Sequence, residues 1–210
     1  MKNILIADDH SLIRSGLRMA LNNLTFKIDI SEARDAKTVM VKLEEKSFDL
    51  ILLDIQMPAT DPVVLMHWIQ SFYPETKILI VSQNPENIYG KRYLQLGADG
   101  FISKTAADDE MIRAVTKVLN GYKYISEELS QLMLRTINNG KQTNPFDQLS
   151  QREFQVVICL AKGYTMNEVC DMLQVQYSTA HTHKRRAFEK LNIEDPKELV
   201  QLADAYDLLS

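Results

Sequence analysis

Two hydrophobic patterns alternate over the first 125 residues. Bare apolar runs stand at 4–7, 50–53, 78–81 and 101–102, and a fifth run at 28–30 carries one acidic residue, Asp29. Runs uninterrupted by polar residues suit strands that are covered on both faces. Amphipathic stretches fill the gaps, at 11–23, 35–46, 61–72, 86–96 and 107–120. Their apolar residues recur at three- and four-residue spacing, as on one face of a helix. Gly97 and Gly121 stand where two of these helices should stop, the place where a left-handed residue closes a helix. Strand and helix in strict alternation predict an α/β domain with a doubly wound, parallel, five-stranded sheet. Such sheets gather their functional groups at the carboxyl ends of the strands.

The pattern changes near Ser126. Residues 126–138 read as one helix, followed by the polar stretch Asn138-Asn139-Gly140-Lys141-Gln142-Thr143-Asn144-Pro145. Low apolar content with Gly and Pro marks that stretch as a linker. Everything beyond it is helical, at about 150–162, 165–172, 177–191 and 196–207 by periodicity. The shift from strand-helix alternation to four helices predicts two domains, 1–125 and 148–210, with a linker helix and linker over 126–147. Ser150 with Glu153 has the spacing of a capping box, and Gly163 ends that helix. A short helix at 165–172, a tight turn at Gln174-Val175-Gln176 and a longer helix at 177–191 form a helix-turn-helix.

Composition adds limits. No apolar run is long enough to span a membrane, and the N-terminus runs straight into a strand with no signal-peptide pattern. Cys159 and Cys170 sit among apolar neighbours and are expected as buried thiols. Together these features predict a cytoplasmic protein. The net charge is −4 and the pI about 5.6, so the chain as a whole is no general nucleic-acid binder. Residues 126–210 hold nine Lys and Arg against twelve Asp and Glu. Any DNA contact must therefore rest on the local cluster His181, His183, Lys184, Arg185, Arg186 and Lys190. Taken alone, Lys184-Arg185-Arg186 would be only a solvated helix face.

The strand ends carry the chemistry. The first delivers Asp8-Asp9, the third Asp54, the fourth Ser82 and the fifth Lys104. Clustered carboxylates repel one another, and a hard divalent cation relieves that repulsion. Mg²⁺ takes oxygen ligands and shares them readily with phosphate. Lys104 offers a point charge to a phosphoryl oxygen, and Ser82 offers a hydroxyl. Asp54, ending the most hydrophobic strand, is placed as the nucleophile that forms an aspartyl phosphate.

These residues resemble a known family. The order Asp8-Asp9-His10, Asp54-Ile55-Gln56-Met57-Pro58, Ser82 and Gly97-Ala98-Asp99-Gly100-Phe101-Ile102-Ser103-Lys104 resembles the flavodoxin-like receiver domain of two-component response regulators, over about 2–122. The resemblance implies Asp54 as phosphoacceptor from a sensor histidine kinase. It implies Mg²⁺ held by Asp9 and Asp54, by Asp8 often through water, and by the backbone carbonyl of Gln56. It also implies Ser82 and Phe101 as a switch pair, the hydroxyl turning toward the phosphoryl group and the ring rotating inward. One departure is Ala59-Thr60-Asp61-Pro62, where the family usually carries a glycine shortly after Pro58; Pro62 in that place stiffens the loop beside the site.

Residues 149–203 resemble the LuxR-type helix-turn-helix of the NarL/FixJ class. The matching residues are Leu149-Ser150-Gln151-Arg152-Glu153, Leu160-Ala161-Lys162-Gly163-Tyr164-Thr165, Glu168-Val169, Leu173, Ser178-Thr179, His183 and Lys190-Leu191-Asn192. In such a pair the second helix enters the major groove. The resemblance implies that His181, Thr182 and Arg185 approach base edges, while Thr179, Lys184 and Arg186 lie nearer phosphates. It implies packing, ahead of DNA or metal contact, for His183. It implies promoter DNA as partner and a homodimer on phosphorylation, with part of 196–207 as the dimer surface. Ala180-His181 departs from the family's β-branched residue and lysine, which weakens the attraction for DNA.

Two enzyme readings fail on residues. A haloacid-dehalogenase-type phosphatase needs an acidic residue two positions after its nucleophile, and that position is Gln56. A dinucleotide site needs a glycine-rich loop after the first strand, where this chain has Asp8-Asp9-His10-Ser11. The protein is thus expected to be no enzyme. A remaining alternative keeps the receiver but makes the acidic helical domain a protein-binding module.

Overall fold

The computed structural model describes residues 1–58, 60–138, 144–206 and 208–209. The chain divides into two compact units, Met1–Asn138 and Asn139–Ser210.

In the first unit, five strands, β1 (Lys2–Ala7), β2 (Ile28–Ala33), β3 (Leu50–Leu53), β4 (Lys77–Ser82) and β5 (Gly100–Ser103), form one sheet in the order β2-β1-β3-β4-β5. Every pairing is parallel. Helices α1 (Ser11–Leu21), α2 (Ala36–Glu45), α3 (Pro62–Phe72), α4 (Glu86–Gln95) and α5 (Asp108–Leu119) connect or follow the strands. One sheet face contributes Ile4, Ile6, Leu50, Leu52, Leu79, Val81 and Ile102, packed on Leu17 and Leu21 of α1 and on Met111, Ala114, Val115 and Val118 of α5. The alternate residues Leu5, Ile51, Leu53, Ile80 and Phe101 point to the other face, as the period of a strand requires, and are equally enclosed. That two-sided burial is why the central strands carry bare apolar runs.

β2 is longer than its apolar core suggested. Ser31 and Glu32 continue the ladder, opposite Leu5 and Ile6 of β1. The strand lies at the sheet edge, so polar residues are tolerated there. Gly97 and Gly121 adopt φ of +95° and +84° and close α4 and α5.

A sixth helix, α6 (Glu127–Asn138), belongs to the first unit, whereas the hydrophobic pattern grouped it with a linker over 126–147. Its N-terminus is tied to α4. Glu86 Oε1 accepts from the Ser126 N–H at 3.2 Å, and Ser126 Oγ accepts from the Leu129 N–H at 3.1 Å. Leu129 is fully buried, and its Cδ2 lies 2.7 Å from where a Cβ on Gly90 of α4 would stand. A glycine inside α4 thus lets α6 approach closely. The linker candidates Asn139, Gly140, Lys141, Gln142 and Thr143 lie outside the described residues.

The second unit holds a 3-10 turn (Pro145–Gln148) and helices α7 (Gln151–Ala161), α8 (Met166–Leu173), α9 (Tyr177–Leu191) and α10 (Pro196–Ala205). Phe146, also within the expected linker, is a core residue instead. It packs edge-on against Phe154 at 6.4 Å and Tyr206 at 6.3 Å between ring centroids. A lone aromatic in a polar stretch gives no periodic signal, so the pattern could not place it. Capping boxes at Ser150–Glu153 and Thr165–Glu168 start α7 and α8. Gln174 (φ 52°) and Asn192 (φ 54°) close α8 and α9 in the left-handed region.

Gly100 sits where β5 meets an isolated bridge to Tyr124. A Cβ there would lie 2.8 Å from the Tyr124 carbonyl oxygen and 2.9 Å from Leu79 Cδ1. Backbone cannot yield as a side-chain tip can. Gly100→Ala is therefore expected to destabilise the first unit by about 1–3 kcal/mol, read as a lower urea midpoint with unchanged slope.

Candidate functional site

The sheet ladder continues one residue past three strands. Asp8 N donates to Ala33 O at 3.1 Å, Asp54 N to Ala7 O at 2.8 Å, and Lys104 N to Ser82 O at 2.8 Å. Backbone pairing thus fixes the Cα positions of two carboxylates and one ammonium at a single sheet edge. Their side chains meet. Lys104 Nζ lies 2.6 Å from Asp8 Oδ2 and 2.8 Å from Asp54 Oδ2. Both aspartates are 1% exposed. The other Asp54 oxygen accepts from the Gln56 N–H at 3.0 Å, and Asp8 Oδ1 accepts from the His10 N–H at 2.8 Å.

Burial pushes the Asp54 carboxyl above the usual carboxylate range. Lys104 pulls it back, and the neighbouring Asp8 charge adds to the rise. Burial alone would lower Lys104, but its bonds to Asp54 and Asp8 hold it above its ordinary value. A second cation beside Asp54 would relieve both burial and repulsion.

The donor set fits a hard divalent cation. Ligand atoms of Asp8, Asp9, His10 and Asp54 lie within 4.8 Å of one another. Asp8 Oδ2 and Asp9 Oδ1 are enclosed; Asp8 Oδ2 faces the Lys104 ammonium, and Asp9 Oδ1 stands 2.9 Å from Nδ1 of the His10 ring. His10 follows the two aspartates in the motif. It is a neighbour by position, and Mg²⁺ favours the oxygens. An open cavity of about 490 Å³, lined in part by Asp9, Lys37, Pro58 and Thr60, gives solvent a path to Asp9.

Ser82 is fully buried at the end of β4, and its Oγ accepts from the Asn84 N–H at 3.1 Å. Phe101 is also fully buried, its ring 6.4 Å from that of Tyr93 on α4. The ring is thus inward in this structure. Pro62 occupies the first position of α3, where its missing N–H costs nothing. Asp61 caps that helix, accepting from Val63 N at 2.9 Å and Val64 N at 3.3 Å. Thr60 Oγ1 donates to Pro58 O at 3.2 Å and accepts from Ala36 N at 3.3 Å, so the loop after Asp54 is fastened at several points.

The second candidate surface is α9. Ala180, Ala187, Phe188 and Leu191 are its buried residues. At about 100° per residue, Ser178, Thr182, Arg185 and Glu189 line the opposite side, with His181 and Arg186 flanking them. Thr179 lies further round and is exposed. Lys184 does not join this group. It is half-buried, and its Nζ lies 5.1 Å from the Phe188 ring centroid. Arg185 pairs with Glu189 at 3.0 Å. Thr182 Oγ1 donates to Ser178 O at 2.9 Å, and the His181 ring stacks on Tyr177 at 6.3 Å. Ala180 is enclosed, so its departure from the family concerns packing, whereas the exposed His181 concerns the outer face. His183 is half-buried with its Nδ1 sealed. Burial lowers its pKa against the pull of Glu153. Cys159 and Cys170 are only partly buried, short of the expected full burial.

Comparison with known proteins agrees with this geometry. Residues 4–116 match the family described as "Response regulator receiver domain", and residues 147–203 match "Bacterial regulatory proteins, luxR family". The chain is 32% identical over 209 residues to the response regulator UvrY of Escherichia coli, covering 99% of this chain and 96% of that protein. It is 33% identical over 208 residues to the oxygen regulatory protein NreC of Staphylococcus epidermidis, covering 95% of each. A solved structure of RcsB from Salmonella enterica serovar Typhimurium, bound to promoter rprA with a phosphomimetic, is similar at a TM-score of 0.68 and 23% identity, over 97% of this chain and 98% of that one.

Glu153 ties the helical unit together. Its carboxylate accepts from the Ser150 N–H at 2.7 Å and from Lys190 Nζ at 2.6 Å, joining α7 to the end of α9. Burial alone would raise its pKa, but Lys190 and Ser150 hold it below its ordinary value of 4.5. The stabilisation is therefore present above that value and is lost as pH falls through the depressed one. Glu153→Ala is expected to cost this unit about 1–2 kcal/mol near neutral pH and to flatten its acid dependence below 4.5. Urea unfolding at several pH values reads both.

Proposed function

The chain belongs to the response regulators that join a receiver domain to a LuxR-type helix-turn-helix domain, and on that premise we propose that Asp54 is the phosphoacceptor and α9 the DNA-reading helix. The observation that carries the reading is the buried Asp8–Lys104–Asp54 triad at the strand ends. An Asp54 carboxylate oxygen attacks the phosphorus of a phosphohistidine on a sensor kinase. The acyl phosphate bond forms as the P–N bond breaks, and the imidazole leaves with that electron pair and takes a proton.

Asp8, Asp9, Asp54 and the backbone carbonyl of Gln56 are the residues that would hold Mg²⁺. When bound, the ion neutralises phosphoryl oxygens during transfer. Lys104 holds its ammonium beside the same carboxylate and supplies a second positive charge. Ser82 and Phe101 lie next to this edge and read the new charge, the hydroxyl toward the phosphoryl group and the ring in its inward place. The two conformations differ in how well they suit that charge, so phosphorylation shifts their populations.

For the helical domain, the exposed His181, Arg185 and Arg186 with Thr182 are the candidates for base and phosphate contact. Thr179 supports them from its flank, and Lys184 reaches a phosphate only by leaving Phe188. Promoter DNA is the partner this face suits, and paired half-sites suit a homodimer. Among the described residues no helix is long and apolar enough to cross a membrane, and a kinase-coupled DNA reader works in the cytoplasm.

Wild type incubated with a small acyl phosphate and Mg²⁺ is expected to gain one phosphoryl mass, and Asp54→Asn none. Equal labelling of both proteins would refute the assignment.

The charges of α9 give a separate test. Arg186 is exposed, and Glu189, three residues on, is engaged by Arg185 instead, so Arg186→Ala is expected to reduce the salt slope of DNA binding by about one. Arg185 must first leave Glu189. Glu189→Gln is expected to tighten binding by about two- to fivefold, since such helix pairs are worth only about 0.2–0.5 kcal/mol and a charge facing phosphate is also removed. Footprints at several salt concentrations measure both. Binding that responds to neither variant would favour the protein-binding alternative for this domain.

A further inference from the structure

Arg14 lies on α1, one turn past the N-cap His10. Helical side chains lean toward the helix N-terminus, and this one runs back over the loop that carries Asp8 and Asp9. Its Nη1 donates to the Asp8 carbonyl at 2.8 Å and to the Asp9 carbonyl at 3.2 Å. Its Nε donates to Glu32 Oε2 at 2.9 Å. Arg18 takes the other oxygen of that carboxylate, with Nε at 3.1 Å and Nη2 at 2.7 Å. Glu32 stands on β2 opposite Ile6 of β1. Hydrogen bonds from Arg18 and then Arg14 keep it below the ordinary carboxylate range.

Asp8 and Asp9 precede the helix, so their carbonyls lack an intrahelical donor. The His10 carbonyl already has one, the Arg14 N–H at 3.2 Å. A guanidinium presents several donors in one rigid plane, which lets one side chain hold two carbonyls and a carboxylate at once. The side chain is only 17% exposed, so water does not easily take its place.

We infer that Arg14, oriented by Glu32, is a positioning residue for the divalent cation: it fixes the peptide planes from which the Asp8 and Asp9 carboxylates project. This rests on the reading of Asp8, Asp9 and Asp54 as the Mg²⁺ site. Charge alone argues for the opposite sign. A guanidinium beside a cation site repels the cation, so removing it would tighten binding. Loss of orientation weakens binding. Groups that orient metal ligands typically account for about 10–100-fold in affinity.

The test is a calorimetric Mg²⁺ titration of the full-length protein at constant ionic strength, with circular dichroism to verify folding. Arg14→Ala is expected to bind about tenfold more weakly. Arg14→Lys keeps the charge, but one ammonium cannot span two carbonyls and Glu32, so it too is expected to weaken. Arg18→Ala, which reaches neither carbonyl, is expected to bind like wild type. Equal or tighter binding by Arg14→Ala overturns the inference, as does equal weakening in Arg18→Ala. If Arg14→Ala fails to fold, Arg14→Lys decides alone, and wild-type affinity there overturns it. A wild type that binds no Mg²⁺, or an Asp9→Ala variant that binds as wild type does, instead removes the metal site itself. The inference then falls with its premise.

Discussion

Two buried carboxylates share one buried ammonium at the carboxyl edge of the sheet, and most of the receiver unit is arranged around that fact. Each ion loses several kcal/mol of hydration on burial, by order of magnitude. Lys104 offsets this only because Asp8 and Asp54 stand within 2.8 Å of it. Such precision needs rigid supports. The supports are the three ladder bonds that run past the strand ends and the apolar strands behind them, which are packed on both faces. Removing one partner would strand like charges in a dry site, at about 3–5 kcal/mol. The same balance makes the edge responsive. Two carboxylates against one ammonium leave a deficit that a divalent cation would fill. On the proposed reading, a phosphoryl group would then bring close to two negative charges into a place where charge is closely balanced.

Much of this was legible from residue order. The bare apolar runs identify the central strands because two-sided burial leaves no room for polar residues there. Strand-end position then singles out Asp8, Asp9, Asp54, Ser82 and Lys104 before any geometry is known. What the pattern missed has a common cause. Ser31 and Glu32 in β2, Phe146 in the helical core and Leu129 in α6 all depend on a partner distant in sequence. Local periodicity carries no information about that partner. Gly90 is the sharpest case. A glycine inside a helix normally reads as a weak point, yet here it is the hollow that receives Leu129.

The candidate DNA face was less legible for a different reason. Charge counted along a sequence does not say which way each charge points. Lys184, Arg185 and Arg186 read as one basic cluster. On the helix they diverge: one lies on an aromatic ring, one is paired with Glu189, and one makes no ion pair among the described residues. The spacing of four between Arg185 and Glu189 was there to be read, as was the spacing of four between Lys184 and Phe188. Both follow from helix geometry.

This self-pairing bears on how a receiver could control an acidic DNA-binding domain. With Lys184 on a ring and Arg185 on Glu189, a single copy would neutralise few phosphates, and its affinity at physiological salt would be correspondingly low. Two copies on adjoining half-sites double the phosphate contacts, and the second binds at the high effective concentration set by the first. Affinity then rises steeply with dimerisation, although no individual contact is strong. A domain with a strongly basic face would bind DNA as a monomer and leave phosphorylation little to regulate. The acidic composition of the helical unit, which at first argued against DNA binding, is on this reasoning what lets occupancy depend on assembly.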